Sequence, residues 1–153
     1  MTSLVDVYAK FGEAAEAAQL LETEIGNMLL SVSAAEHSLL EARDPVLARK
    51  IFDDVDRKTL GQLIRAAKDK VPVPQNLEDL LGQALEERNR LNHSFYRQHN
   101  FRRNSDDGRA LMLQDLEHIH DQILNAYKAV MLLTGVDIDN VATPDLATRH
   151  LPL

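Results

Sequence analysis

The chain has 153 residues, a net charge of −7 and no cysteine. Without thiols there is no disulfide, no cysteine nucleophile and no thiolate metal site, so any chemistry has to come from His, Arg, carboxylates or hydroxyls. A composition 44% hydrophobic and 27% charged is that of a globular domain and predicts neither disorder nor a membrane span.

The N-terminus, MTSLVDVYAKFGEAAEAAQ, carries acids where a secretion signal would carry bases, and it lacks an unbroken apolar run. The expectation is a cytoplasmic protein with one domain over residues 1–153, of a size that buries most of its apolar surface in one core. Leu, Ala, Glu, Gln and Arg dominate while β-branched residues are scattered, which predicts an all-α fold. Residues 3 to about 42 repeat apolar positions at helical spacing (Leu4, Val7, Phe11, Ala18, Leu21, Ile25, Leu29), as one long helix or two joined near Gly26. Asp44 and Pro45 form a cap and first-turn pair for a second helical region, Val46 to about Lys70, with a break near Asp56. The VPVPQ stretch at 71–75 ends it, because neither proline continues the hydrogen-bond ladder.

Asn76 is the expected cap of a third helix, whose apolar stripe runs Leu77, Leu81, Ala84, Arg88, Leu91 and Phe95. A polar turn at Asp106 to Gly108 leads to a fourth helix over roughly 107–134, with Gly135 as its C-terminal stop. Thr143 and Pro144 predict a short terminal helix. Four long helices with short connections predict an antiparallel up-and-down four-helix bundle.

One segment departs from the rest. Residues 88–105 hold five arginines, two histidines and no acid, which leaves −12 on the remainder of the chain. Arg88 also falls within an apolar stripe, where a guanidinium has to be paired, hydrogen-bonded or open to a cleft. One explanation is packing: its stem covers leucines while its head pairs with Glu87 or with a carboxylate on another helix. The other is chemical. Arg88, Asn89 and His93 read RNRLNH, an arginine, a polar residue and a histidine five positions after the arginine, inside ALEERNRLNHSFYRQ.

This pattern, late in the third long helix of a small all-α chain with a further helix behind it, resembles the HEPN superfamily. The resemblance implies a HEPN-like bundle over about residues 3–134 and a homodimer with a composite site. It also implies either a metal-independent endoribonuclease, as in a toxin or defence protein held by an antitoxin or regulatory protein, or a non-catalytic dimeric binding or scaffold module. RNA cleavage without metal needs proton transfer at the 2′-hydroxyl and the 5′-oxygen, and positive charge beside the phosphorane. His93 suits the first task, with an ordinary pKa near neutrality, and Arg88 suits the second, as a planar and permanently charged fork. Asn89, four residues before His93, shares its helix face and is placed to orient the imidazole or bind a ribose oxygen. Arg88 and His93 stand about 140° apart around an ideal helix, so a partner's helix is needed to converge them.

Tyr96, Arg97, Arg102 and Arg103, with His99 and Phe101 among them, form the candidate substrate-binding group, to hold the backbone and stack an unpaired base. For Arg102 and Arg103 the plainer alternative is a solvated helix end. No cofactor and no metal are expected: Glu117 and His120 give one Glu-x-x-His spacing where a di-metal bundle needs two. Walker, Rossmann and Gly-x-Ser-x-Gly motifs are missing from the sequence.

Overall fold

A computed structural model describes residues 1–140, so the helix expected at Thr143 and Pro144 lies outside the described residues. Its elements are α1 (Leu4–Glu36), α2 (Pro45–Asp56), α3 (Leu60–Lys70), α4 (Gln75–His93), α5 (Phe95–His99), a 3₁₀ segment (Asn100–Asn104) and α6 (Asp106–Leu133). There is no strand among the described residues. The all-α expectation holds. None of these helices is long and apolar enough to cross a membrane.

Capping fixes most of the boundaries. Ser3 and Asp6 form a reciprocal capping box at the start of α1, and Thr59 and Gln62 form another at α3. Asp44 accepts from the backbone N–H of Leu47 at 3.0 Å and Pro45 follows it, as the sequence predicts. At α4 the expectation needs correcting. The helix begins at Gln75, and the residue before it is Pro74, which offers no side-chain cap, so Asn76 is already inside the first turn.

α1 passes through Gly26 without a break and stops at Glu36, six residues early. Ser38, at φ 53°, takes the left-handed position, and Leu39 N–H reaches Ala34 O at 2.9 Å. This closure normally uses glycine. Gly135 does the same for α6 at φ 86°, with Val136 N–H on Met131 O at 3.0 Å.

The break expected near Asp56 is a reversal. α3 runs beside α4 in the opposite direction, with Lys68 paired to Glu78 and Gly61 beside Leu85. α4 runs opposite to α1, with Arg88 on Glu22 and Phe95 on Phe11. α6 runs with α1, since Arg109 binds Thr2 O while Lys10 reaches His120. Residues 46–70 therefore form two helices in place of one, each packed on α1, and of the bundle helices α1, α3 and α6 point one way and α4 the other.

The core lies between α1, α3, α4 and α6. Leu21, Ile25, Leu60, Leu91, Phe95, Met112, Leu116, Ile119 and Ile123 are fully buried there. Arg88, alone of the stripe of α4, is only half-buried. Gly108 is buried under the 3₁₀ segment, where an added Cβ would overlap the carbonyl group of Arg102. Gly108→Ala is therefore expected to lose about 1–3 kcal/mol in a urea titration, because backbone has to move to admit one methyl group.

Candidate functional site

α4 carries the sequence-predicted residues, and its rotation decides where each one goes. Leu77, Leu81, Ala84 and Leu91 face the core. With that face fixed, at roughly 100° per residue, Arg88 falls within the core-facing stripe, where it reaches Glu22 of α1, whereas Arg90 and His93 fall on the outer half of the helix, Arg90 on the side toward α6. His93 and Asn89 are exposed. Arg88 and His93 do not converge within one chain.

The two arginines of RNRLNH differ in how many donors they have left. A guanidinium has five N–H groups. Arg90 uses all five: Nε and Nη2 on Glu87 at 3.0 and 2.7 Å, Nη2 and Nη1 on the two oxygens of Asp115 at 2.7 Å each, and Nη1 on Gln98 at 3.2 Å. Arg88 uses fewer. Its Nε donates to one oxygen of Glu22 at 3.0 Å and its Nη1 to Asn89 Oδ1 at 3.1 Å, while Nη2 stands in ion-pair contact with the same Glu22 oxygen at 2.8 Å. Among the described residues, at least one N–H on each terminal nitrogen of Arg88 is left for an incoming oxyanion. Asn89 Oδ1 thus accepts from Arg88, and among the described residues no hydrogen bond joins Asn89 to the His93 ring. Of the two expected roles, orienting the imidazole and binding a ribose oxygen, the first is not made within one chain. The His93 ring makes no hydrogen bond among the described residues, while its backbone carbonyl accepts from Arg97 at 3.2 Å.

The chain past Ser94 stays almost helical, because Ser94 N–H bonds Arg90 O and Gln98 N–H bonds Ser94 O. The turn tucks His99 into the protein at 4% exposure, with its ring 4.5 Å from that of Phe95. His99 Nε2 lies 2.7 Å from Asp115, and Arg102 Nη1 lies 3.1 Å from His99 Nδ1. A ring carrying its proton on Nε2 satisfies both contacts. Asp115 is therefore the hub of a chain, Arg90–Asp115–His99–Arg102, that ties α4, α5 and the 3₁₀ segment to α6. The bonds from Arg90, followed by the one from His99, hold the Asp115 carboxyl below its ordinary value against the opposing effect of burial. The same contacts push the Arg90 guanidinium pKa further up.

The remaining candidates sit at the other end of α1. Tyr96 is half-exposed and stacks on Phe11, centroids 5.3 Å apart at 28°, with its hydroxyl pKa raised by burial and by the neighbouring Tyr8. Arg103 donates to Tyr8 at 3.2 Å. Val5, Tyr8, Tyr96 and Phe101 are exposed apolar groups of this end. Arg97, Arg102 and Arg103 are exposed, whereas His99, expected to hold phosphate, is enclosed. Glu22, Arg90 and Asp115 carried no signal of their own in the sequence. Glu87, three residues before Arg90, was the only local hint of the network.

Comparison of the chain with protein-family models, with curated proteins and with solved structures finds no match.

Proposed function

We propose that the protein is a metal-independent endoribonuclease of HEPN type that works as a homodimer, with α1, α3, α4 and α6 as the four arms of its bundle. The observation that carries the reading is the contrast within RNRLNH. Arg90 has no donor left, whereas among the described residues Arg88 keeps a free N–H on each terminal nitrogen and His93 stands exposed on the outer line of the same helix. The first arrangement serves structure. The second leaves a phosphate fork and a proton-transfer group unspent.

Pairing α4 with that of a second copy brings Arg88 of one chain toward His93 of the other. The exposed Val5, Tyr8, Tyr96 and Phe101 supply apolar area beside it. In such a site His93 takes the proton from the 2′-hydroxyl and returns one to the 5′-oxygen, while Arg88 stabilises the phosphorane, leaving a 2′,3′-cyclic phosphate or a 3′-phosphate. The Arg88–Glu22 pair favours the alternative, a dimeric binding or scaffold module, because a paired arginine is also a structural one. Incubating purified protein with structured and unstructured RNA in excess chelator decides between them. Cleavage that chelator stops excludes the mechanism, and dimerisation through α4 without any cleavage favours the module.

Arg102→Ala and Arg103→Ala are expected to weaken RNA binding and flatten its salt dependence by about one counterion each, with little effect on the chemical step. Binding isotherms at two or three salt concentrations test this.

A further inference from the structure

We infer that the cleft between α1 and α2 is a nucleobase subsite, which takes one unpaired base of the RNA whose phosphate Arg88 binds; the inference rests on the ribonuclease reading above. The cleft has a volume of about 340 Å³, within the size range of small-molecule sites. Three lines of observation point to a base.

The first is the wall that α1 provides. Gln19, Thr23 and Asn27, spaced four residues apart, line the cleft as one exposed stripe. All three are uncharged and can act as both donor and acceptor. The edge of a base presents donors and acceptors side by side, and three such groups in one row can meet it.

The second is Phe52, which faces the stripe from α2. It is 47% exposed on a helix with no buried residue, so the core does not use it. Arg49 lies over the ring at 5.7 Å and takes no part in the cleft wall. An aromatic ring opposite a hydrogen-bonding stripe is the arrangement that stacks and reads an unpaired base.

The third is position. Glu22 lines the cleft and also holds Arg88, so a phosphate at the Arg88 fork has its own nucleoside within reach of the cleft. Charge agrees with this, since Glu22 is compensated by Arg88, and Asp56 and Lys58 oppose each other at the cleft wall. A near-neutral cleft suits a base better than a second phosphate.

The test uses the full-length protein and single-stranded oligoribonucleotides that carry each of the four bases, or no base on an intact ribose, beside the cleaved bond. The wild type is expected to cut the base-free oligonucleotide about 10- to 100-fold more slowly than the best base, as loss of one stacking contact predicts. Phe52→Ala and Asn27→Ala are expected to lower kcat/KM on the preferred RNA by a comparable factor and to cut base-free RNA at the wild-type rate. Equal cleavage of base-containing and base-free RNA by the wild type overturns the inference and leaves the ribonuclease reading intact. If the wild type cleaves no RNA, that reading fails and the cleft is tested alone, by titrating AMP, GMP, CMP and UMP into labelled protein. Amide shifts confined to Gln19, Thr23, Asn27 and α2 sustain a nucleobase site, and their absence overturns it.

Discussion

Replacing His93 with alanine is expected to lower the rate of RNA cleavage by about 10²- to 10⁴-fold, the usual cost of losing one general acid or base. The helical spectrum and the oligomeric state are expected to stay as in the wild type, because the His93 ring is exposed and no described residue hydrogen-bonds it. Arg88→Lys is expected to be severely impaired as well. An ammonium can replace the charge on Glu22, but it cannot hold Glu22 and Asn89 and still offer a planar pair of donors to a phosphate. Single-turnover cleavage in chelator, with circular dichroism and light scattering on the same samples, separates chemistry from folding. His93→Ala cleaving at the wild-type rate would falsify the mechanism.

The second large effect concerns stability. Asp115→Ala is expected to cost about 3 kcal/mol, since it leaves Arg90 facing only Glu87 and Gln98 and the enclosed His99 without its acceptor. This is the low end of the range for a broken buried pair, because the Arg90 and Asp115 side chains each keep 23% exposure. A urea titration at fixed protein concentration reads the loss as a shift of midpoint at constant slope. The pH dependence has a definite sign. The folded carboxyl lies below its ordinary value of 3.8, so its contribution is complete above about pH 4 and fades as the pH falls further. The difference between wild type and Asp115→Ala therefore narrows on acidification below that point.

Sequence periodicity carried the helix content, the apolar stripes of α1 and α4 and the cap at Asp44, because each of these depends on residues three or four apart. The stop at Ser38 was hidden, since the left-handed turn there is made by a serine where glycine is the usual signal. The reversal at Arg57 was legible as a break but not as a change of direction, which tertiary packing of α3 against α1 decides. Arg88 was singled out correctly as the arginine that needed a partner. Glu22 lies 66 positions away, and no local pattern joins the two. Arg90 went unread, and His99 was read as a phosphate holder, for the same reason: their common partner, Asp115, lies on α6.

α2 differs from every other long helix in having no buried residue, and this has a kinetic meaning. Its hydrogen bonds are protected only as far as a peripheral helix can stay closed by itself, while those of α1, α4 and α6 open with the whole core. In deuterated water the amides of α2 should therefore exchange through local opening, well ahead of global unfolding and with little sensitivity to urea. The outer wall of the α1–α2 cleft thus belongs to the least cooperative part of the chain. A ligand lodged in the cleft would register first as slower exchange in α2.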